Sequence, residues 1–150
     1  SLGVKLKLSP TKSIVKNKSI ILIDDSLVRG TTCHKIVKML YEAGAKEVHV
    51  RIACPEIKFP DFYGVDMPTK KELLAHEKSN EEMCEHIKAK SLKFLSLKGL
   101  YAGLEQGKRN DAYPQFSDHY FTGDYPVKPS DNLGELKITQ LSLLSGKSNN

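Results

Sequence analysis

Two adjacent carboxylates, Asp24 and Asp25, follow a run of four aliphatic residues, Ile20 to Ile23, in the stretch IILIDDSLVRGTT. Such a run reads as a strand of a parallel sheet buried on both faces. It delivers the acids to the strand's C-terminal end, where ligands bind in open α/β sheets. The residues that follow are of another chemical kind. Ser26, Thr31 and Thr32 supply hydroxyls, and Gly30 lets the backbone take a positive φ or approach a ligand closely. A helix starting there adds backbone amides and the positive end of its dipole, and these parts together cradle phosphate. Arg29 lies inside the loop and offers a planar fork of donors. Acids beside a phosphate cradle would repel a bare phosphate. They suit a ligand with both a phosphate and hydroxyl groups, or one carrying Mg²⁺, which points to a sugar phosphate bound with a hard cation. If Asp25 or Ser26 merely capped a turn, the second acid would have no purpose.

The elements that must position this loop can be read around it. TTCHKIVKMLYEAG places Cys33, Ile36, Val37 and Leu40 at helical spacing, and Gly44 stops the helix. Val48, Val50 and Ile52 alternate with His49 and Arg51 as a second strand. Residues 19–53 thus form one βαβ unit, for which a right-handed crossover is expected. PEIKFPDFYG is a loop by its Pro and Gly content. Thr69-x-x-Glu72 and Ser79-x-x-Glu82 match capping boxes and predict short helices near 69–77 and 79–89. SLKFLSL reads as a strand, and Leu97, Leu100, Tyr101 and Leu104 begin another helix. Phe116 to Tyr125 reads as an irregular tail packed across the domain, and Ser145 to Asn150 as disordered. The layout is α/β, yet a doubly wound sheet needs more strands than are present. The chain also starts at Ser1 rather than Met. Both suggest a piece lacking its N-terminal strands.

Composition narrows the function classes. The chain has 150 residues and a net charge of +5, with its basic residues dispersed and no interleaved aromatic run, so nucleic acid is not an expected partner. No apolar run approaches the ~20 residues that cross a membrane, and SLGVKLKLSP lacks the apolar core of a secretory signal. Cys33, Cys54 and Cys84 are scattered and odd in number, which argues for free thiols in a reducing cytoplasm. His34, His49, His76, His86 and His119 form no ligand pair, so zinc is not expected and they read as surface or helix-face histidines.

The motif of aliphatic run, two acids and a loop rich in Thr and Gly resembles the phosphoribosyl pyrophosphate (PRPP) loop of type I phosphoribosyltransferases. The variant DDSLVRGTT is similar to that of the glutamine PRPP amidotransferases in particular. KLKLSP at 5–10, EAGAKEVHVRIACPEIKFPDFYGVDMPT at 42–69, ELLAH at 72–76 and FTGDYP at 121–126 resemble the same family in the same order. The resemblance implies a partial type I phosphoribosyltransferase fold, a parallel sheet with flanking helices, over residues 1–126, with 127–150 as a partly disordered tail. It implies a glycosyltransferase of purine synthesis that makes 5-phosphoribosylamine from PRPP and glutamine-derived ammonia. Asp24 and Asp25 would meet the ribose hydroxyls with Mg²⁺ nearby. The segment from Ser26 through Leu27, Val28, Arg29, Gly30 and Thr31 to Thr32 would hold the 5′-phosphate, and Lys7 matches a lysine at the end of the family's flexible loop. Purine nucleotides are the implied inhibitors, and a homo-oligomer is the implied assembly of the full-length enzyme.

The departures from the family are specific. The glutaminase domain with its cysteine nucleophile, the pyrophosphate loop and most of the closing loop have no counterpart, so the isolated piece is expected to be inactive. One branch of the family carries an iron–sulfur cluster on cysteines whose places here hold Asp61, Ser117 and Tyr120. A cluster needs thiolates, so the chain resembles the cluster-free branch. Two alternatives stand beside this reading. One is a remnant that binds PRPP or nucleotides without turnover. The other is a response-regulator receiver domain, suggested by ILIDDS, Asp66-Met67-Pro68 and Lys128-Pro129, although Pro60 and Gly64 break the strand that a receiver needs before its phosphoacceptor.

Overall fold

The structure, a computed structural model, describes residues 10–64, 69–105 and 107–127. Lys7, Asp66 to Pro68, Lys128-Pro129 and the end of the chain lie outside the described residues. The elements are α1 (Lys12–Val15), β1 (Ser19–Asp24), α2 (Thr31–Glu42), β2 (Glu47–Ile52), a 3₁₀ turn (Lys70–Glu72), α3 (Leu74–Glu77), α4 (Asn80–Ile87), β3 (Ser91–Phe94), α5 (Leu97–Gly103) and α6 (His119–Thr122). The three strands form one sheet in the order β1-β2-β3, and both pairings are parallel. Ser19 stands opposite Glu47 and Asp24 opposite Ile52, while His49 stands opposite Ser91.

The β-branched alternation of β2 decides which face is covered. Val48, Val50 and Ile52 are buried, and His49 and Arg51 turn to the other side. Cys33 and Val37 of α2, Met83 and Ile87 of α4, Leu92 of β3 and Leu27 join them in one core cluster. The apolar stripe of α2 is therefore matched to the apolar face of the sheet. Both capping boxes form as expected. Glu72 reaches back to the amide of Thr69, and Ser79 and Glu82 bond each other's backbone amides at the start of α4.

One expectation needs correction. β1 is not buried on both faces: Ile21 and Ile23 are 65% and 72% exposed. β1 forms an edge of the described sheet, and the core cluster lies on the side of Leu22, away from Ile21 and Ile23. Four consecutive aliphatic residues identify a strand built to be covered on both sides; within the described residues only one side is.

Candidate active site

β1 ends at Asp24, so the paired carboxylates stand at the C-terminal end of the sheet. The ladder extends past them, because the Ala53 amide donates to the Asp24 carbonyl at 2.9 Å. Asp24 Oδ1 accepts the Asp25 amide at 3.1 Å, and Ser26 Oγ donates to Asp25 Oδ1 at 3.1 Å. These contacts are local, and Asp24 is partly exposed and Asp25 exposed. Leu27 anchors the loop, with its side chain 2% exposed in the core and its amide hydrogen-bonded to the Cys54 sulfur. The Val28 carbonyl accepts the Leu74 amide at 2.9 Å, fastening the loop to α3. Arg29 pairs with Glu72 at 3.1 Å, both half-exposed.

Gly30 is the N-cap of α2 at φ 74°, so the positive φ expected of it is present. Its place is also too tight for a side chain, since a Cβ would lie 2.8 Å from Leu74 Cδ2. No side chain caps α2, which has no acid in its first turn. The amides of its first turn thus have no side-chain cap, and they lie beside the exposed Thr31 and Thr32. A 12-residue helix with an open N-terminus, set directly behind two carboxylates, presents an anion site and a hydroxyl-binding or cation-binding site side by side.

The structure therefore places Asp24 at the end of β1, residues 25–30 in the connecting loop and Thr31 and Thr32 at the start of α2, with Leu27 and Val28 serving mainly as anchors. Two contributors carried no functional sign in the sequence. Glu72 matched a capping box, and it both caps and holds Arg29. Cys54 looked like an ordinary thiol, yet it lies against the loop. Burial, and then the Asp25 charge, push its thiol up to about 11. Cys33 in α2 is likewise pushed up to about 11 by burial and then by the Asp24 charge. Neither is a ready nucleophile.

A second cluster involves Asp61, Ser117 and Tyr120, the positions that the sequence resemblance set against cluster cysteines. They come together around His119, which is buried rather than on the surface as expected.

No family profile matches the chain. The amidophosphoribosyltransferase of Rhizobium etli is 52% identical over 144 residues, 95% of this chain and 29% of that protein. Amidophosphoribosyltransferase 2, chloroplastic, of Arabidopsis thaliana is 48% identical over 130 residues, 87% of this chain and 22% of that protein. The solved glutamine PRPP amidotransferase of B. subtilis, complexed with ADP and GMP, superposes with a TM-score of 0.72 at 43% identity over 84% of this chain and 29% of its own. These relatives leave the receiver alternative without support, and they match the parallel sheet and its helices to part of a phosphoribosyltransferase fold. The chain thus belongs with the amidophosphoribosyltransferases and spans 22% to 29% of the length of these relatives.

Proposed function

We propose that residues 24–32 form the PRPP-binding part of an enzyme that makes 5-phosphoribosylamine for purine synthesis. The observation that carries this reading is the uncapped N-terminus of α2 immediately behind the carboxylate pair at the end of β1. Asp24 and Asp25 bind the ribose hydroxyls. The amides and hydroxyls from Ser26 to Thr32 hold the 5′-phosphate, and the family resemblance adds Lys7, which lies outside the described residues. Arg29, held by Glu72, supplies positive charge at the rim. Oxygen donors of this kind fit Mg²⁺, which favours one or two carboxylates completed by substrate phosphates. Among the described residues no three His, Cys, Asp or Glu side chains gather into a metal cage; a cation at Asp24 and Asp25 would be completed by the ligand's oxygens. Its chemistry there is to neutralise the leaving pyrophosphate.

The reaction needs orientation and charge stabilisation more than acid–base help, because pyrophosphate leaves readily once neutralised. Ammonia attacks the ribose C1 while the loop fixes the other end of the sugar. The ADP and GMP in the B. subtilis structure support purine nucleotides as competing ligands that share the ribose 5-phosphate group. A cytoplasmic setting accords with three unpaired thiols, and the full-length enzyme is read as a homo-oligomer. Residues 1–126 are read as the C-terminal part of the phosphoribosyltransferase domain and 127–150 as a tail. By itself the 150-residue chain is expected to bind ligand but turn over slowly at best, since closure over the substrate belongs to segments it does not contain.

The test places Asp24→Asn and Asp25→Asn in an intact amidotransferase built around this segment. Phosphoribosylamine formation should fall about a hundredfold or more, the scale of losing a transition-state contact, while glutamine hydrolysis persists. Equal loss of both activities would show the acids to be structural.

A further inference from the structure

Away from the acidic loop, the described chain buries a polar cluster around His119. The residue is 1% exposed, and both ring nitrogens are engaged. Nε2 lies 2.8 Å from Asp61 Oδ1, and Nδ1 lies 3.0 Å from Ser117 Oγ. The Asp61 side chain is fully buried, its second oxygen accepts the Tyr63 amide at 2.9 Å, and the Tyr120 hydroxyl bonds the same carboxylate. The rings of Tyr120 and Tyr125 lie 4.0 and 5.0 Å from the imidazole, with Tyr63 edge-on at 5.2 Å. The backbone follows the side chains: the Lys58 and Phe59 amides donate to the Tyr120 carbonyl at 2.9 and 3.1 Å, and the Tyr125 hydroxyl donates to the Pro60 carbonyl at 2.8 Å.

The other end of this loop meets the proposed substrate site. Ala53 donates to the Asp24 carbonyl, and Cys54 bonds the Leu27 amide. Between the two ends, Pro55, Ile57 and Pro60 are buried. The segment 53–61 is thus a strut with one end on the acidic loop and the other fastened by Asp61 and His119. Hydrogen bonds to a buried carboxylate suit such a fastener, because they are directional and a partner left unsatisfied is costly. Apolar contacts alone would let the segment slide.

We propose that Asp61 and His119 are positioning residues for the acidic loop, fixing the strut 53–61 that sets the backbone of Asp24 and Leu27. The inference rests on the reading of residues 24–32 as a ribose 5-phosphate site. The test uses the 150-residue chain with His119→Phe, which keeps a ring but loses both hydrogen bonds, and His119→Gln, which keeps an amide donor for Asp61. Hydrogen exchange is followed at the Lys58, Phe59 and Ala53 amides, and affinity is measured with AMP as the probe. In His119→Phe, exchange at all three amides should rise about tenfold or more, with the remainder of the core protected. AMP should bind about tenfold more weakly, and His119→Gln should restore most of both. Should His119→Phe not fold, Asp61→Asn, which weakens the same contact without changing volume, should shift both readouts in the same direction. Faster exchange confined to Lys58 and Phe59, with Ala53 and AMP affinity unchanged, would make the cluster a local fastener and overturn the proposal. A wild-type chain that binds no AMP would refute the site reading instead, and Ala53 exchange would still decide whether the strut transmits.

Discussion

Gly30 holds φ at 74° while the position of a Cβ on it lies 2.8 Å from Leu74 Cδ2. Gly30→Ala should therefore cost at least the ~1–2 kcal/mol of a left-handed alanine, read as a lower urea midpoint, and an unchanged midpoint would deny the tight packing. The need for a positive φ was legible in the motif, whereas the contact with Leu74 was not, because it joins residues 44 positions apart. The thiols of Cys33 and Cys54, raised from 9.0 to about 11 by burial and by the neighbouring acids, make a second statement at this scale. The folded chain holds these protons more tightly than the unfolded chain does. Their contribution to stability is thus complete below about pH 9 and is lost as pH rises toward 11. At pH 8 their thiolate fraction is about a hundredfold below that of an unperturbed thiol, so iodoacetamide should label both far more slowly in the folded chain than in the unfolded one. Equal labelling rates would contradict the burial. His119 shows where single-residue reading stops. A histidine without ligand spacing gives no sign that it will be buried against a carboxylate 58 positions earlier.

Elements whose signals are local were the easiest to read. The capping boxes at Thr69 and Ser79 start their helices because the side chains involved lie within a single turn. Ser79→Ala should accordingly cost about 1 kcal/mol of stability by denaturant titration. The alternation of β2 gave its buried face for the same reason. The short helices α1 and α6, four residues each, have no periodicity to read and are held by tertiary contacts. β1 is the instructive case. Its four aliphatic residues specify a strand covered on both sides, but a sequence pattern cannot say whether the cover lies within the same stretch of chain. With Ile21 and Ile23 65% and 72% exposed, changing each to Thr should alter the stability of this chain by less than about 0.5 kcal/mol. Leu92→Ala in the core should cost about 2–5 kcal/mol. A comparable loss on both faces would show that Ile21 and Ile23 are covered in solution.

At the scale of the whole molecule, the sheet, its covering helices and the acidic loop were legible because they rest on the βαβ unit of residues 19–53, where strand pattern, helix spacing and loop chemistry agree. The fastening of residues 107–127 was not. It depends on Arg109 bonding Asp111, Asp118 and Asp124, on Tyr101 bonding Asp118, and on Asp61 bonding His119, through side chains far apart in sequence or set in irregular backbone and short helices. Burial alone would raise the Asp118 carboxyl, but hydrogen bonds from Arg109, Tyr101 and Thr122 and the Arg109 charge hold it below its usual value. The stability it contributes is present at neutral pH and is lost on acidification through its lowered pKa. With Asp61, Ser117 and Tyr120 joined by hydrogen bonds around His119, the purified protein should contain no stoichiometric iron or acid-labile sulfide; finding both would refute its placement in the cluster-free branch. The central claim is that residues 24–32 bind a ribose 5-phosphate group, and titration calorimetry of the 150-residue chain with PRPP–Mg²⁺ tests it most directly. The account predicts saturable binding that weakens about tenfold or more when Asp24→Asn and Asp25→Asn are combined; equal binding by that variant, or none by the wild-type chain at millimolar ligand, would contradict it.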